Sequence, residues 1–344
     1  MKRSGDAIKI ISHFSFLLPA VFYPLVVIVA LCGCVSSGAA AEEYFSIGMA
    51  YFDMGKYSEA EKWLNRARAR DRTMTASEYN LGRIAFETGR FEDAARHFES
   101  VLKRDPNNVL AIRAAAYTRI RNGDIEKAEE LYGRLLALVP ESADDGYNHA
   151  MVLFAMKKFP EAEEILKNNE FALLENNDVL LLYARTRKEQ GKVEAIDDYA
   201  SWLSNNNDAK VRYEYAQLLE MHEQYARALE EYRTAHTSLP AGSVDPSKPE
   251  LRFIIARLLF IADSEKSDGV TELRGAVADG FIDTEVIETL LDDKRISDAN
   301  KEEIRTIVTD IKRAAEAARA AEEAALKAME SNVTDGAGTD EIPE

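Results

Sequence analysis

Past residue 34 the chain contains no cysteine; its two, Cys32 and Cys34, stand together at the end of an apolar N-terminal run. A body without thiols has no disulfide framework and no cysteine-based metal site. It suits an oxidising compartment, where a stray thiol is a liability. Positive charge is also scarce: 43 Lys and Arg stand against 60 Asp and Glu, a formal net charge of -17 over 344 residues. Phosphate recognition needs a surplus of Lys and Arg, so nucleic acid is excluded as a partner. Electrostatic docking on anionic lipid is excluded for the same reason. Any membrane attachment must be hydrophobic or covalent. Catalytic signatures are missing too: there is no Gly-rich phosphate loop, no His-Glu-x-x-His and no Gly-x-Ser-x-Gly. The five histidines, His13, His97, His149, His222 and His236, are scattered. No enzyme activity, catalytic residue, metal ligand or cofactor is therefore expected. The acidic pairs Asp144-Asp145 and Asp292-Asp293 read as solvated turn residues.

What is present begins with an address. Lys2, Arg3 and Lys9 precede the uncharged run Phe14 to Leu31, and small residues follow. That order is the pattern of a secretory signal. The run ends in Leu31-Cys32-Gly33-Cys34, which resembles the lipobox of bacterial lipoproteins, although Cys32 stands where Ala or Ser is usual. The resemblance implies cleavage after Gly33 and lipidation of Cys34. It also implies a protein tethered in the bacterial cell envelope and facing the periplasm, the inner leaflet of the outer membrane being favoured over the inner membrane. Loss of residues 1–33 removes Lys2, Arg3, Lys9 and Asp6, leaving the remainder near -19. The competing reading is an uncleaved membrane helix, since about 18 apolar residues just span a bilayer core; Pro19 and Pro24 do not favour it.

A 34-residue period fills most of the rest. Gly55, Gly89, Gly123 and Gly191 mark a turn, with Lys157 in the skipped slot. Tyr57, Phe91, Ile125, Phe159 and Val193 follow two residues later, then Ala60, Ala94, Ala128, Ala162 and Ile196. A small residue precedes each turn (Gly48, Gly82, Ala116, Ala150, Ala184), and Leu64, Phe98, Tyr132, Leu166 and Ala200 occupy the second half. After a two-residue deletion, Ala216, Tyr225, Ala228, Tyr232 and Pro240 form a sixth repeat. Small residues let paired helices cross closely, and a turn glycine supplies the backbone freedom to reverse direction.

These columns resemble the tetratricopeptide repeat, which implies an all-α solenoid of antiparallel helix pairs, here about six over residues 41–242, starting near 41, 75, 109, 143, 177 and 209. The remaining organisation reads as a signal over 1–33, a short tether over 34–40, and a linker over 243–249. A divergent repeat and C-terminal helices follow over 250–329, then a disordered acidic tail over 330–344. The Ala- and Glu-rich stretch 314–329 is a strong helix former and reads either as a solvated terminal helix or as a cap. Repeats four and five, which depart most from the pattern, are expected to pack less regularly.

In tetratricopeptide arrays the first helix of each pair lines a concave groove. The resemblance points to the fifth, ninth and twelfth positions: Phe45, Met49 and Phe52; Tyr79, Arg83 and Phe86; Arg113 and Tyr117; Tyr147, Met151 and Phe154; Arg185; and Tyr213. Tyr, Phe, Met and Arg are interface residues, and an arginine can grip a carboxylate with two hydrogen bonds. Two functions fit. One is a scaffold or adaptor binding protein partners in an envelope assembly, compatible with a homo-oligomer. The other is a subunit accompanying a periplasmic substrate-binding transporter that handles a small hydrophobic or carboxylate ligand. Replacing Cys34 with Ser should leave the precursor unprocessed and unlabelled by radioactive palmitate, with the protein released or mislocalised on membrane fractionation. Normal maturation of that variant would contradict the lipid tether.

Overall fold

The computed structural model describes residues 37–168, 176–262 and 268–335. The signal, Cys34 and the last nine residues lie outside them. No helix among the described residues is long and apolar enough to cross a membrane; the run Phe14 to Leu31 is not among these residues. The described residues are all-α and fall into two compact parts, one up to Gln190 and one from Gly191.

The first part contains α1 (Ser37–Asp53), α2 (Tyr57–Arg70), α3 (Thr75–Glu87), α4 (Phe91–Leu102), α5 (Val109–Asn122), α6 (Ile125–Leu138), α7 (Ala143–Ala155), α8 (Phe159–Lys167) and α9 (Asn177–Glu189). Odd helices open each repeat, and even helices close it by packing back on the partner and on the next odd helix. The pairing rests on one contact. Leu64, Phe98, Tyr132 and Leu166 are each almost fully buried, 16 residues after Gly48, Gly82, Ala116 and Ala150. A Cβ placed on Gly82 would lie 2.7 Å from the Phe98 ring, and one on Gly48 2.8 Å from Leu64. The large side chain thus occupies space that the small residue leaves open.

The turns are uniform. Gly55, Gly89 and Gly123 have φ of +70°, +75° and +84°. Lys157 takes the same left-handed conformation at φ +60°. Its N–H donates to the Phe154 carbonyl at 2.9 Å and Lys158 N–H to Leu153 at 2.8 Å, matching Gly89 to Phe86 at 3.0 Å and Arg90 to Ala85 at 2.8 Å. The fourth turn is therefore as regular as the others, contrary to the expectation from its missing glycine. Tertiary packing on both sides imposes the geometry, and the lysine carries the local strain. Pro160 sits in the first turn of α8, where no amide hydrogen is required.

Buried polar groups interrupt this core, Arg119 and His149 among them. Arg119 is 4% exposed and pairs with Asp124 at 2.6 Å, with Glu92 at 3.5 Å and with Glu99. His149, on α7, is buried with its ring stacked on Tyr132 at 6.2 Å. Neither ring nitrogen, nor the Tyr132 hydroxyl, reaches a hydrogen-bond partner among the described residues. Burial holds the His149 pKa below its ordinary value, opposed by Glu129, whose carboxylate lies 4.0 Å away.

The second part contains α10 (Ala195–Asn205), α11 (Ala209–Met221), α12 (Tyr225–Ser238), α13 (Lys248–Ala262), α14 (Asp268–Ala278), α15 (Thr284–Glu288), a 3-10 turn (Thr289–Asp292) and α16 (Asp298–Asp335). In α10 Ala195 and Tyr199 are fully buried and Ile196 is buried beside them, while Ala200 is exposed. The fully buried positions sit one residue earlier than the 34-residue count gives, so Ile196 stays in the core as expected while Ala200 does not and Tyr199 takes its place. Tyr199 stacks on Tyr215 at 6.0 Å and donates to Glu214 at 3.1 Å. In the divergent repeat α14 packs on α13 with the size relation reversed, Gly269 receiving Phe260.

The first turns of α16 cap this part. Ile304, Ile307, Val308 and Ile311 are buried with Phe253, Phe260, Leu273 and Leu290. From Lys312 to Lys327 every residue is exposed. Of the two readings of 314–329, the described residues 314–327 are solvated, and the capping contacts come from the helix before that stretch. The helix also continues to Asp335, into the segment expected to be disordered, because Ala-rich helix-forming sequence leads into it.

Two stability predictions follow from the first part. Lys157→Gly relieves a left-handed residue and should stabilise the chain by about 1 kcal/mol, read as a higher urea midpoint; Gly123→Lys should lower it by a similar amount. For His149 the folded pKa lies below the unfolded value of about 6.5. The unfolded chain therefore binds a proton that the native chain refuses, and stability falls as pH drops below about 6.5. His149→Phe should make the unfolding free energy less pH-dependent than wild type below that value.

Candidate functional site

Helical periodicity of about 100° per residue places the fifth, ninth and twelfth positions of a repeat within an arc of about 60°. All thirteen residues proposed from sequence are half-buried, neither core nor free surface. Twelve lie on α1, α3, α5, α7 and α9 of the first part. Tyr213 lies on α11 of the second, with its ring 5.7 Å from Tyr232.

Within the first part the face forms rungs between successive repeats. Arg83 at the ninth position stacks over Phe52, the twelfth residue of the preceding repeat, at 4.3 Å. Tyr117 meets Phe86 in the same register at 5.3 Å. A guanidinium or a ring can cover a ring equally well. Tyr147, Met151 and Phe154 lie against the core formed by Leu153, Leu166 and Leu182.

The twelfth-position rings also have a packing role. Phe52, Phe86 and Phe154 meet the post-turn aromatics Tyr57, Phe91 and Phe159 edge-on at 5.5, 5.4 and 5.3 Å. Ile120 and Ile125 replace this pair in the third repeat. The rings close each helix pair and still present an edge on the shared face.

The arginines differ from one another. Arg83 holds Asn80 Oδ1 at 3.0 Å and keeps its position over Phe52. Arg113 donates through Nε at 2.8 Å and Nη2 at 2.7 Å to the two oxygens of Asp145. Asp145 is 1% exposed and also accepts from the Ser142 hydroxyl. Asp145 is thus a buried ion-pair partner joining α5 to α7 and not a solvated turn residue. Arg113 is correspondingly committed to the fold and is no ready clamp for a ligand carboxylate. The other acidic pair is corrected in part: Asp293 is held at a pKa of about 2 by its hydrogen bond from Arg295. Asn80 donates to the Ala76 carbonyl at 2.8 Å. Sequence offered no sign of the Arg119 contacts with Glu92 and Glu99 or of the Arg113–Asp145 pair, since these join residues 20 to 32 positions apart.

Burial raises the pKa of Tyr79, and that of Tyr147 to about 12. These hydroxyls therefore remain hydrogen-bond donors at neutral pH. Buried rings, a flexible methionine and fixed donors form a surface that can hold apolar side chains while reading a few polar groups. Among the described residues no group of His, Cys, Asp and Glu could hold a metal ion.

Comparison with known proteins agrees with this architecture. Two family models, both described as tetratricopeptide repeat, match residues 45–109 and 85–145. An uncharacterized lipoprotein of Treponema pallidum (strain Nichols) is 28% identical over 172 residues, covering 49% of this chain and 87% of that protein. The protein O-mannosyl-transferase Tmtc3 of Drosophila melanogaster is 24% identical over 125 residues; the match spans 36% of this chain and only 14% of that enzyme. A solved tetratricopeptide-repeat protein from Parabacteroides merdae has a TM-score of 0.49 at 23% identity, covering 74% of this chain and 98% of its own. YrrB, a solved tetratricopeptide-repeat protein with an unusual peptide-binding site, has a TM-score of 0.48 at 16% identity, covering 52% and 93%. Residues 45–145, which the two family models span together, are tetratricopeptide repeats, and further antiparallel helix pairs of the same all-α kind flank them.

Proposed function

We propose that this chain is a scaffold that captures a segment of a protein partner on the shared face of α1, α3, α5, α7 and α9, while a lipid on Cys34 tethers it to the bacterial envelope, facing the periplasm. The observation carrying the first half is the regular row of half-buried Phe, Tyr, Met and Arg along that face, from Phe45 to Arg185. A core residue would be sealed and a solvated residue would be polar; this row is neither. Its spacing suits an extended segment or a helix laid along the repeats. Met49 and Met151 can adjust to different apolar side chains. Support for the tether is the Leu31 to Cys34 motif, together with the match to a protein named as a lipoprotein.

The committed role of Arg113 determines how the reading is tested. Reversing its charge would orphan a buried carboxylate, with a loss of about 3–5 kcal/mol, and would confuse unfolding with loss of binding. A photo-crosslinking residue is placed instead at Met49, Tyr117 or Met151 in cells, with Arg96 and Glu126 on α4 and α6 as controls. The expected result is one common partner trapped from the three face positions and not from the controls. Arg83→Glu with Arg185→Glu should abolish that product while circular dichroism stays unchanged. Equal trapping from the controls, or trapping that survives both reversals, would contradict the proposal.

A further inference from the structure

The first repeat has one flank that no other repeat covers. On α1, Ala40, Tyr44, Ile47, Tyr51 and Met54 follow one another at intervals of four, three, four and three residues, which sets them on one stripe of a helix. The stripe carries no charge. Its first four members are half-buried, and Met54 is 58% exposed. One repeat later the positions of Ile47 and Tyr51 are held by Leu81 and Ala85, which are buried. Leu81 shares a core with Ala60 and Leu64 of the repeat before it. Among the described residues α1 has no helix ahead of it to provide that cover. The two flanks of α2 differ in the same way. Glu61 and Arg68 on one flank pair with Arg90 and Glu78 of the second repeat at 2.9 and 3.2 Å. Trp63, Arg66 and Arg70, three and four residues apart, lie on the other. The Trp63 ring stands 5.7 Å from that of Tyr44, and the Arg66 guanidinium lies over it at 4.5 Å. The open aromatic surface is thus continuous across both helices.

Chain length and charge identify the occupant. Cys34 stands three residues before α1, a leash of about 10 Å at full extension. Tyr44 is seven residues into the helix, about another 10 Å along its axis. A lipid on Cys34 would therefore hold this flank close to the bilayer surface. Tyr and Trp are the side chains that settle at such a surface, with the ring among acyl chains and the polar atom among headgroups. An amphipathic helix can lie in the same plane with its apolar stripe towards the acyl chains. The local charge agrees. A total of -17 excludes docking led by charge, yet residues 62–72 hold five basic groups and one acidic group. Lys62, Arg66 and Arg70 are exposed near Trp63 on α2, and Glu59 is the acidic group on that side. These cations offset the repulsion that the rest of the chain meets at an anionic headgroup layer. A second copy of the chain would bring the same cations face to face, which makes it the poorer occupant.

We propose that the open flank of the first repeat is a membrane-interface surface, on which Tyr44, Ile47, Tyr51 and Trp63 enter the bilayer that, on the tether reading above, holds the lipid of Cys34. With α1 lying along the surface, the later repeats of the first part stack away from it. The first repeat then sets orientation on the membrane, where the lipid alone sets only location.

The test uses the lipidated full chain, reconstituted into vesicles of phosphatidylethanolamine and phosphatidylglycerol with brominated acyl chains. Bromine quenches a tryptophan only at short range. The chain has two tryptophans, and Trp202 is buried in the second part, so quenching reports Trp63. Wild-type emission should fall relative to unbrominated vesicles, and the fall should be lost in Trp63→Phe. Tyr44→Glu with Tyr51→Glu should lose it too, at unchanged helical content and with the lipid still on Cys34 by mass. The wild-type measurement stands on its own should that variant misfold. An unquenched Trp63 in a lipidated wild-type chain overturns the proposal and leaves the tether standing. Quenching that survives Trp63→Phe overturns it likewise. An unquenched Trp63 in a chain that sediments at twice its mass in detergent would mean that a second copy covers the flank instead. A mass that shows no lipid on Cys34 overturns the tether, and this proposal with it.

Discussion

Every helix pair of the first four repeats depends on one residue being too small. Gly48, Gly82, Ala116 and Ala150 leave a hollow on the opening helix, and a fully apolar or aromatic side chain 16 positions later fills it. The contact fixes how closely the two helices cross, and so where the turn between them must lie. Once the crossing is fixed, the turn has little freedom. Lys157 shows the order of causes, because it holds a left-handed φ that its side chain disfavours and keeps the hydrogen bonds of its glycine counterparts. Turn glycine is thus a local convenience, whereas the small-against-large contact is a requirement. The last pair makes the same point from the other side, with Gly269 on the closing helix receiving Phe260 from the opening one.

That division explains what could be read from the chain before its structure. The small and large columns were visible because each is a single residue type at a fixed interval, and they gave the helix pairs of the first four repeats. The fifth repeat failed where interval alone was the guide. Counting from Gly191 put Ile196 in the core, where it is, but put Ala200 there too, whereas the fully buried residues are Ala195 and Tyr199, one step earlier. Electrostatic contacts were harder still. Asp145 looks like any acidic residue after a turn, and only the approach of α5 to α7 makes it the buried end of the Arg113 pair. Arg119 similarly gathers three carboxylates from α4 and the turn before α6. A linear pattern carries no sign of either.

The candidate face inherits this architecture. Repeats stack in register, so the ninth and twelfth positions of neighbours meet as rungs, ring over ring or guanidinium over ring. The residues that would recognise a partner are therefore held rigid by one another. Rigidity favours binding by lowering the entropy lost when a partner docks. The same rings also close the turns of their own repeats, which is why periodicity could locate the face but could not separate recognition from packing.

Placement of charge adds a further constraint. A chain at -17 gains no attraction for acidic partners from its overall field, so any acidic segment must be met locally. Arg83 and Arg185 stand on the shared face, and Arg113 is paired with the buried Asp145. On the proposed reading, a segment laid on that face would meet mainly rings and aliphatic groups, with arginines on the second and fifth opening helices. A uniformly acidic segment would be repelled by the body before the two arginines could hold it. A basic segment would be drawn to the surface at large but would find cations at the rungs. On the proposed reading, a surface of rings and aliphatic groups on a chain at -17 thus favours a sparsely charged segment over a uniformly acidic one.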